Sequence, residues 1–126
     1  MIVGIVGCGA IANTIVNEIL SEKGIEIKYF YDRDIERAEN LAQIANGIAV
    51  INLEDMISKV DLVVEAASPM ALKAIAIDIL ENNVDLMVMS VGALMDNEFR
   101  CKLLEDVEAN ICNDLIKIII IRFLKI

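Results

Sequence analysis

Residues 1–12 read Met1-Ile2-Val3-Gly4-Ile5-Val6-Gly7-Cys8-Gly9-Ala10-Ile11-Ala12, and this stretch decides the fold. Met1 to Val6 is a continuous apolar run, the pattern of a parallel strand buried on both faces. Gly7-Cys8-Gly9 interrupts it. A helical pattern follows at once, with Ile11, Ile15, Ile19 and Leu20 predicted on its inward face and Gly24 closing it. In this G-x-G-x-x-A turn, Gly7 permits the sharp change of direction, Gly9 has no Cβ to strike a bound pyrophosphate, and Ala12 lets the helix lie close to the sheet. The N–H groups of Ala10 and Ile11 then face the phosphates from the positive end of the helix dipole. The plainer alternative is a glycine turn that only joins two elements; the readable strand, helix and second strand around it weigh against that.

Outward from the turn, strands and helices alternate. Ile25 to Tyr31 reads as a second strand, and Asp34 caps a helix in which Ala38, Leu41, Ala42 and Ala45 recur before Asn46-Gly47 closes it. Ile48 to Ile51 is a short third strand, followed by a brief helix over Leu53 to Ser58 with Asn52 as its cap. Asp61 to Ala66 is the fourth strand, and Ser68-Pro69 places a cap and an N1 proline at the head of a helix reaching about Asn82. Val84 to Met89 is the fifth strand, Ser90 to Asp96 a loop, and Glu98 to Ala109 a helix with Phe99, Leu103 and Val107 inward. Strands joined through helices require right-handed crossovers, so the expected fold is α/β: a doubly wound parallel sheet, about six strands with helices on both faces.

Residues 1–109 form this single domain, and residues 110–126 read as a distinct apolar tail. Residues 1–108 hold eight basic and 19 acidic side chains, whereas residues 109–126 hold three against one. Leu115 to Ile126 is nearly all Ile, Leu, Lys and Phe. β-Branching there favours a sixth strand, while the abrupt change of composition equally suits a truncated or frame-shifted end.

Asp32 ends the second strand 23 residues past Gly9. A carboxylate about 20 residues beyond the glycine turn accepts the ribose hydroxyls of a dinucleotide and repels a 2′-phosphate, which favours NAD over NADP. Arg33 beside it could pair with that phosphate or stack on adenine, so NADP stays open. The competing role for Asp32 is to share the next helix's N-terminus with Asp34. Two more loops leave the carboxyl ends of strands, where open α/β sheets bind ligands. Ala66-Ala67-Ser68 allows close backbone approach, and the Ser68 hydroxyl either meets the cofactor or caps the following helix. Ser90-Val91-Gly92-Ala93 either passes beside the nicotinamide end or is an ordinary exit turn. Glu65 is either a polar contact at the cofactor or a solvated edge residue. Cys8 sits where a helix N-terminus lowers a thiol pKa, yet reads as small filler, since no resolving cysteine is near in sequence.

Composition narrows the functional classes. The 126 residues allow one domain, 57% of them hydrophobic and 25% charged, with a net charge of −9. That acidity argues against nucleic acid and anionic membrane as partners. No apolar run approaches the ~20 residues of a transmembrane helix, and no basic n-region precedes the first strand. Cys8, Cys101 and Cys112 have no metal-like spacing and suit a reducing, cytoplasmic setting. The absence of histidine removes the usual general base and zinc ligand, so neither a catalytic residue nor a metal site is expected.

With these residues in hand, the chain resembles the amino-terminal half of archaeal and bacterial L-aspartate dehydrogenase. More broadly it is similar to the cofactor domain of homoserine-dehydrogenase-like enzymes. The matching stretches are Val6-Gly7-Cys8-Gly9-Ala10-Ile11-Ala12, Tyr31-Asp32-Arg33, Asp61-Leu62-Val63-Val64-Glu65-Ala66-Ala67-Ser68 and Met89-Ser90-Val91-Gly92-Ala93-Leu94. The resemblance implies a Rossmann-like domain in which Gly7, Gly9, Ala10, Ile11, Asp32, Ala67 and Ser68 hold NAD or NADP. It further implies oxidation of L-aspartate to iminoaspartate. Members carry a second, substrate-binding domain with a catalytic histidine; the resemblance here stops near Ala109, so this chain is expected to bind cofactor without turning over aspartate. Activity then requires a chain supplying the substrate half. The alternative is a non-catalytic or redox-sensing dinucleotide module acting as a homodimer. A methyltransferase loop is disfavoured, because it needs glycine at position 11 and an acidic residue before Gly7.

Overall fold

The computed structural model describes residues 1–109, with side chains described through Glu105. The chain runs β1 (Ile2–Val6), α1 (Ala10–Ile19), β2 (Glu26–Tyr31), α2 (Ile35–Ala45), β3 (Ile48–Ala49), α3 (Glu54–Ile57), β4 (Leu62–Glu65), α4 (Pro69–Glu81), β5 (Asp85–Val88), a 3₁₀ turn (Val91–Met95) and α5 (Asn97–Ala109). The strands form one parallel sheet in the order β3-β2-β1-β4-β5. The expected sixth strand and the apolar tail lie outside the described residues.

β1 and β4 each serve two cores, which is why they read as apolar runs. Val3 and Ile5 of β1 and Leu62 and Val64 of β4 face α1 and α2, packing with Val16, Leu41 and Phe30. Val6 and Val63 point the other way, into a cluster with Met56, Leu72, Ile79 and Leu103 from α3, α4 and α5. Helices therefore cover both faces, and the chain reverses direction of travel across the sheet between β1 and β4. That reversal leaves a crevice at the carboxyl ends of the strands.

Local chemistry explains most of the helix boundaries. Asp34 Oδ1 accepts from Glu36 N at 3.1 Å at the head of α2, and Asn46 closes that helix in the left-handed conformation at φ 53°. Ser68 Oγ accepts from Ala71 N at 3.1 Å, with Pro69 in the first turn of α4. Asp96 accepts from Phe99 N at 3.1 Å to start α5 and from Lys73 Nζ at 2.6 Å to tie α5 to α4. This lysine hydrogen bond holds the Asp96 carboxyl below the usual carboxylate range.

Three expectations need correction. Ile11 and Leu20 of the first helical segment are 51% and 46% exposed, and α1 buries Ala12 and Val16 instead, with Ile15 and Ile19 at the margin. The small Ala12 brings the helix so close to the sheet that the core face turns toward it. Asn52 gives no side-chain cap: Leu53 occupies the cap position of α3, and Asn52 contributes only its backbone carbonyl to Asp55 N. The segment after β5 is not an open loop but the 3₁₀ turn Val91–Met95, whose Ala93 and Leu94 are buried.

Candidate functional site

The turn between β1 and α1 is built by contacts on three sides. Gly7 N donates to Tyr31 O at 2.9 Å, and Ala66 N to Val6 O at 2.8 Å, so the ends of β2, β1 and β4 are fastened side by side. Gly7 has φ +90°, and a Cβ there would lie 2.6 Å from both N and Cα of Ala67. Backbone shape and the close approach of the β4 loop both demand glycine at this position. Gly9 differs. Its φ is −91°, and a Cβ there would meet nothing within 4 Å among the described residues. The protein's own packing does not require glycine at position 9; only a visitor to the open space in front of it would.

That space is a cleft of about 370 Å³. Gly7, Gly9, Asp32, Arg33, Ala67 and Ser68 all line it, so six of the eight residues singled out above come together. Ala10 lies on an adjoining groove between α1 and α2, and Ile11 lines neither space. No side chain caps the N-terminus of α1 and no acidic residue occupies its first turn. Its leading N–H groups and its dipole are thus left to an incoming anion.

Asp32 holds the other end. Its Oδ2 accepts from Cys8 N at 2.8 Å, inside the glycine turn, and its Oδ1 from Asp34 N at 2.8 Å. The carboxylate therefore shares the head of α2 with Asp34, while each oxygen spends one of two lone pairs and keeps capacity for one further hydroxyl. Ser68 likewise lines the cleft while its oxygen caps α4. The cleft fits a dinucleotide on these grounds: a bare turn for the diphosphate at Gly9, and a carboxylate with spare acceptor capacity one strand away.

Sequence reading missed several lining residues. Arg37, one turn beyond Arg33, also lines the cleft, its Nε 3.5 Å from Asp34 Oδ2. The four-residue spacing from Arg33 was the available signal. Met70, Ala71 and Ala74 of α4 form the apolar wall opposite, with Met70 82% exposed.

Glu65 is fully buried, which rules out a solvated edge. Its Oε1 accepts from Ala67 N at 2.8 Å and Ser90 Oγ at 2.7 Å, and its Oε2 from Ser90 N at 3.1 Å. For Cys8, burial and the charge of Asp32 push the thiol up to about 12, overriding the helix N-terminus. An unfolded thiol loses its proton near pH 9 and the folded one near 12, so this contribution to stability is complete below about pH 9 and is lost as pH rises toward 12. The fall in urea midpoint from pH 9 upward is expected to be shallower in Cys8→Ala than in wild type. Peptide mapping after iodoacetamide at neutral pH is expected to find exposed Cys101 alkylated and buried Cys8 untouched.

Among the described residues, no group of three or more His, Cys, Asp or Glu converges on a metal position, and no helix is long and apolar enough to cross a membrane.

Comparison with known proteins adds a second line. The homoserine dehydrogenase NAD-binding domain family matches residues 7–116. L-Aspartate dehydrogenase of Methanothermobacter thermautotrophicus is 55% identical over 106 residues, covering 83% of this chain and 41% of that protein. The corresponding enzyme of Methanocaldococcus jannaschii is 41% identical over 104 residues, covering 80% and 39%. The chain thus spans about two fifths of the length of these curated relatives. Among solved structures, myo-inositol dehydrogenase from Lactobacillus casei, in complex with NAD(H) and myo-inositol, superposes with a TM-score of 0.76 at 16% identity, covering 86% of this chain and 33% of that one. At such identity the likeness speaks for the fold alone.

Proposed function

This chain belongs to the family of homoserine dehydrogenase NAD-binding domains, and we propose that it is the cofactor-holding part of an aspartate-dehydrogenase-like oxidoreductase, working in the cytoplasm and inactive toward aspartate by itself. The observation that carries the reading is the open space before Gly9, a glycine that nothing in the protein's packing requires. The α1 N–H groups take the diphosphate, and Asp32 takes the adenosine ribose. The bound nicotinamide would supply the hydride acceptor. What this chain adds is grip and orientation: the ends of β2, β1 and β4 are fastened side by side and would present the glycine turn and the Asp32 carboxylate to the ligand together.

Aspartate needs groups to orient its carboxylates and take its amine proton. None of the 126 residues is a histidine, and the resemblance places those groups in a second domain. Among the described residues, Met87, Met89, Val91 and Met95 in and after β5 are exposed and offer apolar surface to a substrate-binding half.

The test is a fluorescence titration of the purified chain with NADH, where we expect saturable binding at micromolar or weaker affinity. No change up to millimolar cofactor overturns the reading. Mixing the chain with L-aspartate and NAD is expected to yield no NADH, and measurable turnover would refute the division of labour. Cofactor preference follows from Arg33 and Arg37 flanking Asp32. The double variant Arg33→Ala/Arg37→Ala is expected to weaken NADPH roughly tenfold, about 1.4 kcal/mol, and NADH less than threefold. Equal losses for both cofactors would count against a 2′-phosphate contact.

A further inference from the structure

Glu65 stands out as a fully buried carboxylate with no ion pair among the described residues and three donors converging on it. Burying such a group costs several kcal/mol unless hydrogen bonds replace its water, so its placement calls for a reason. The donors supply one. All three come from the two loops that leave the carboxyl ends of neighbouring strands: Ala67 after β4, Ser90 after β5. The backbone adds a parallel tie, Met89 N to Glu65 O at 3.0 Å. On its other side, Ala67 is the backbone that presses on Gly7.

We propose that Glu65 is a positioning residue that locks the turn after β5 to the loop after β4, and so fixes the nicotinamide half of the ligand relative to the phosphate turn. The proposal rests on the dinucleotide reading above. The direction of the ligand follows from strand order. With adenosine at Asp32 just after β2 and the diphosphate at Gly9 after β1, a dinucleotide has only the β4 and β5 side left for its nicotinamide. Ser90 begins the turn that borders that side.

The two carboxylate oxygens make the claim separable. Oε1 serves Ala67 N and Ser90 Oγ, whereas Oε2 serves Ser90 N alone. In Glu65→Gln the amide oxygen can keep both bonds at Oε1, but its NH2 then opposes Ser90 N, donor against donor. Turned the other way, the amide oxygen serves Ser90 N and the NH2 opposes Ala67 N, so Glu65→Gln breaks the tie between the two loops on one side or the other. Ser90→Ala removes the hydroxyl bond by another route and spares the Ala67 bond entirely.

Calorimetric titration of wild type and both variants with ADP-ribose and with NADH reads the effect, since the two ligands differ by the nicotinamide ring. Glu65→Gln is expected to weaken NADH about tenfold and Ser90→Ala about threefold, with ADP-ribose unchanged within twofold in both. Equal loss for the two ligands, or no loss for either, overturns the positioning role and leaves a plain structural strut. If Glu65→Gln does not fold, Ser90→Ala decides by the same split. Failure of wild type to bind either ligand is a different result and strikes the dinucleotide reading itself.

Discussion

Replacing Gly9 with valine is expected to abolish NADH binding while leaving the fold standing. A Cβ at position 9 meets no atom of the described residues within 4 Å, and the backbone there, at φ −91°, suits an L-residue. The cost to folding is limited to a poorer helix cap, about 1 kcal/mol or less. The cost to binding is of another order, because the branched side chain occupies the space where the diphosphate would meet the α1 N–H groups. A loss of at least roughly a hundredfold in affinity, about 2.8 kcal/mol, is the expected reading of an NADH titration. Unchanged affinity in a folded Gly9→Val protein would remove the phosphate turn from the argument.

Two positions earlier, Gly7→Ala is expected to give the opposite signature. The added methyl must be carried at φ +90° and must sit 2.6 Å from the Ala67 backbone, which is itself held by Glu65 and cannot retreat freely. Left-handed strain of about 1–3 kcal/mol plus overpacking of similar size would remove a large share of a domain's usual stability. Urea denaturation followed by circular dichroism should show a loss of about 3 kcal/mol or more. A Gly7→Ala protein as stable as wild type would mean that the β4 loop yields, and that the turn is less tightly built than the contacts indicate. Measured side by side, the two glycines separate what the fold needs from what the ligand needs.

The elements around this turn were legible because they obey strict local rules. Apolar β1 and β4 needed cover on both faces, Asp34 and Ser68 were caps of the preferred type, and Gly7-x-Gly9 joined a strand to a helix. The cleft was legible for the same reason, as the carboxyl ends of β1, β2 and β4 were fixed by those elements. What escaped depended on distance through space. Ile11 and Val16 are equally apolar, and only the depth to which Ala12 sinks against the sheet says which faces inward. Cys8 has a helix N-terminus in sequence, but burial and Asp32 arrive from elsewhere in the fold. Glu65 ends an apolar run, and nothing local tells whether three donors wait for it. Arg37 sits in a helix whose start the Asp34 cap announced, but only the way α2 lies against the sheet brings its side chain to the cleft.

The bond from Cys8 N to Asp32 Oδ2 couples two parts of the ligand site. The Asp32 side chain that would receive the adenosine sugar is already bonded to the amide of Cys8, within the segment that would embrace the diphosphate. A single acceptor thus feels both portions of the ligand, and filling either one stiffens the other. Adenosine should therefore bind more tightly when pyrophosphate already occupies the turn, and pyrophosphate more tightly beside adenosine by the same factor, a coupling that vanishes when Asp32 is replaced by alanine.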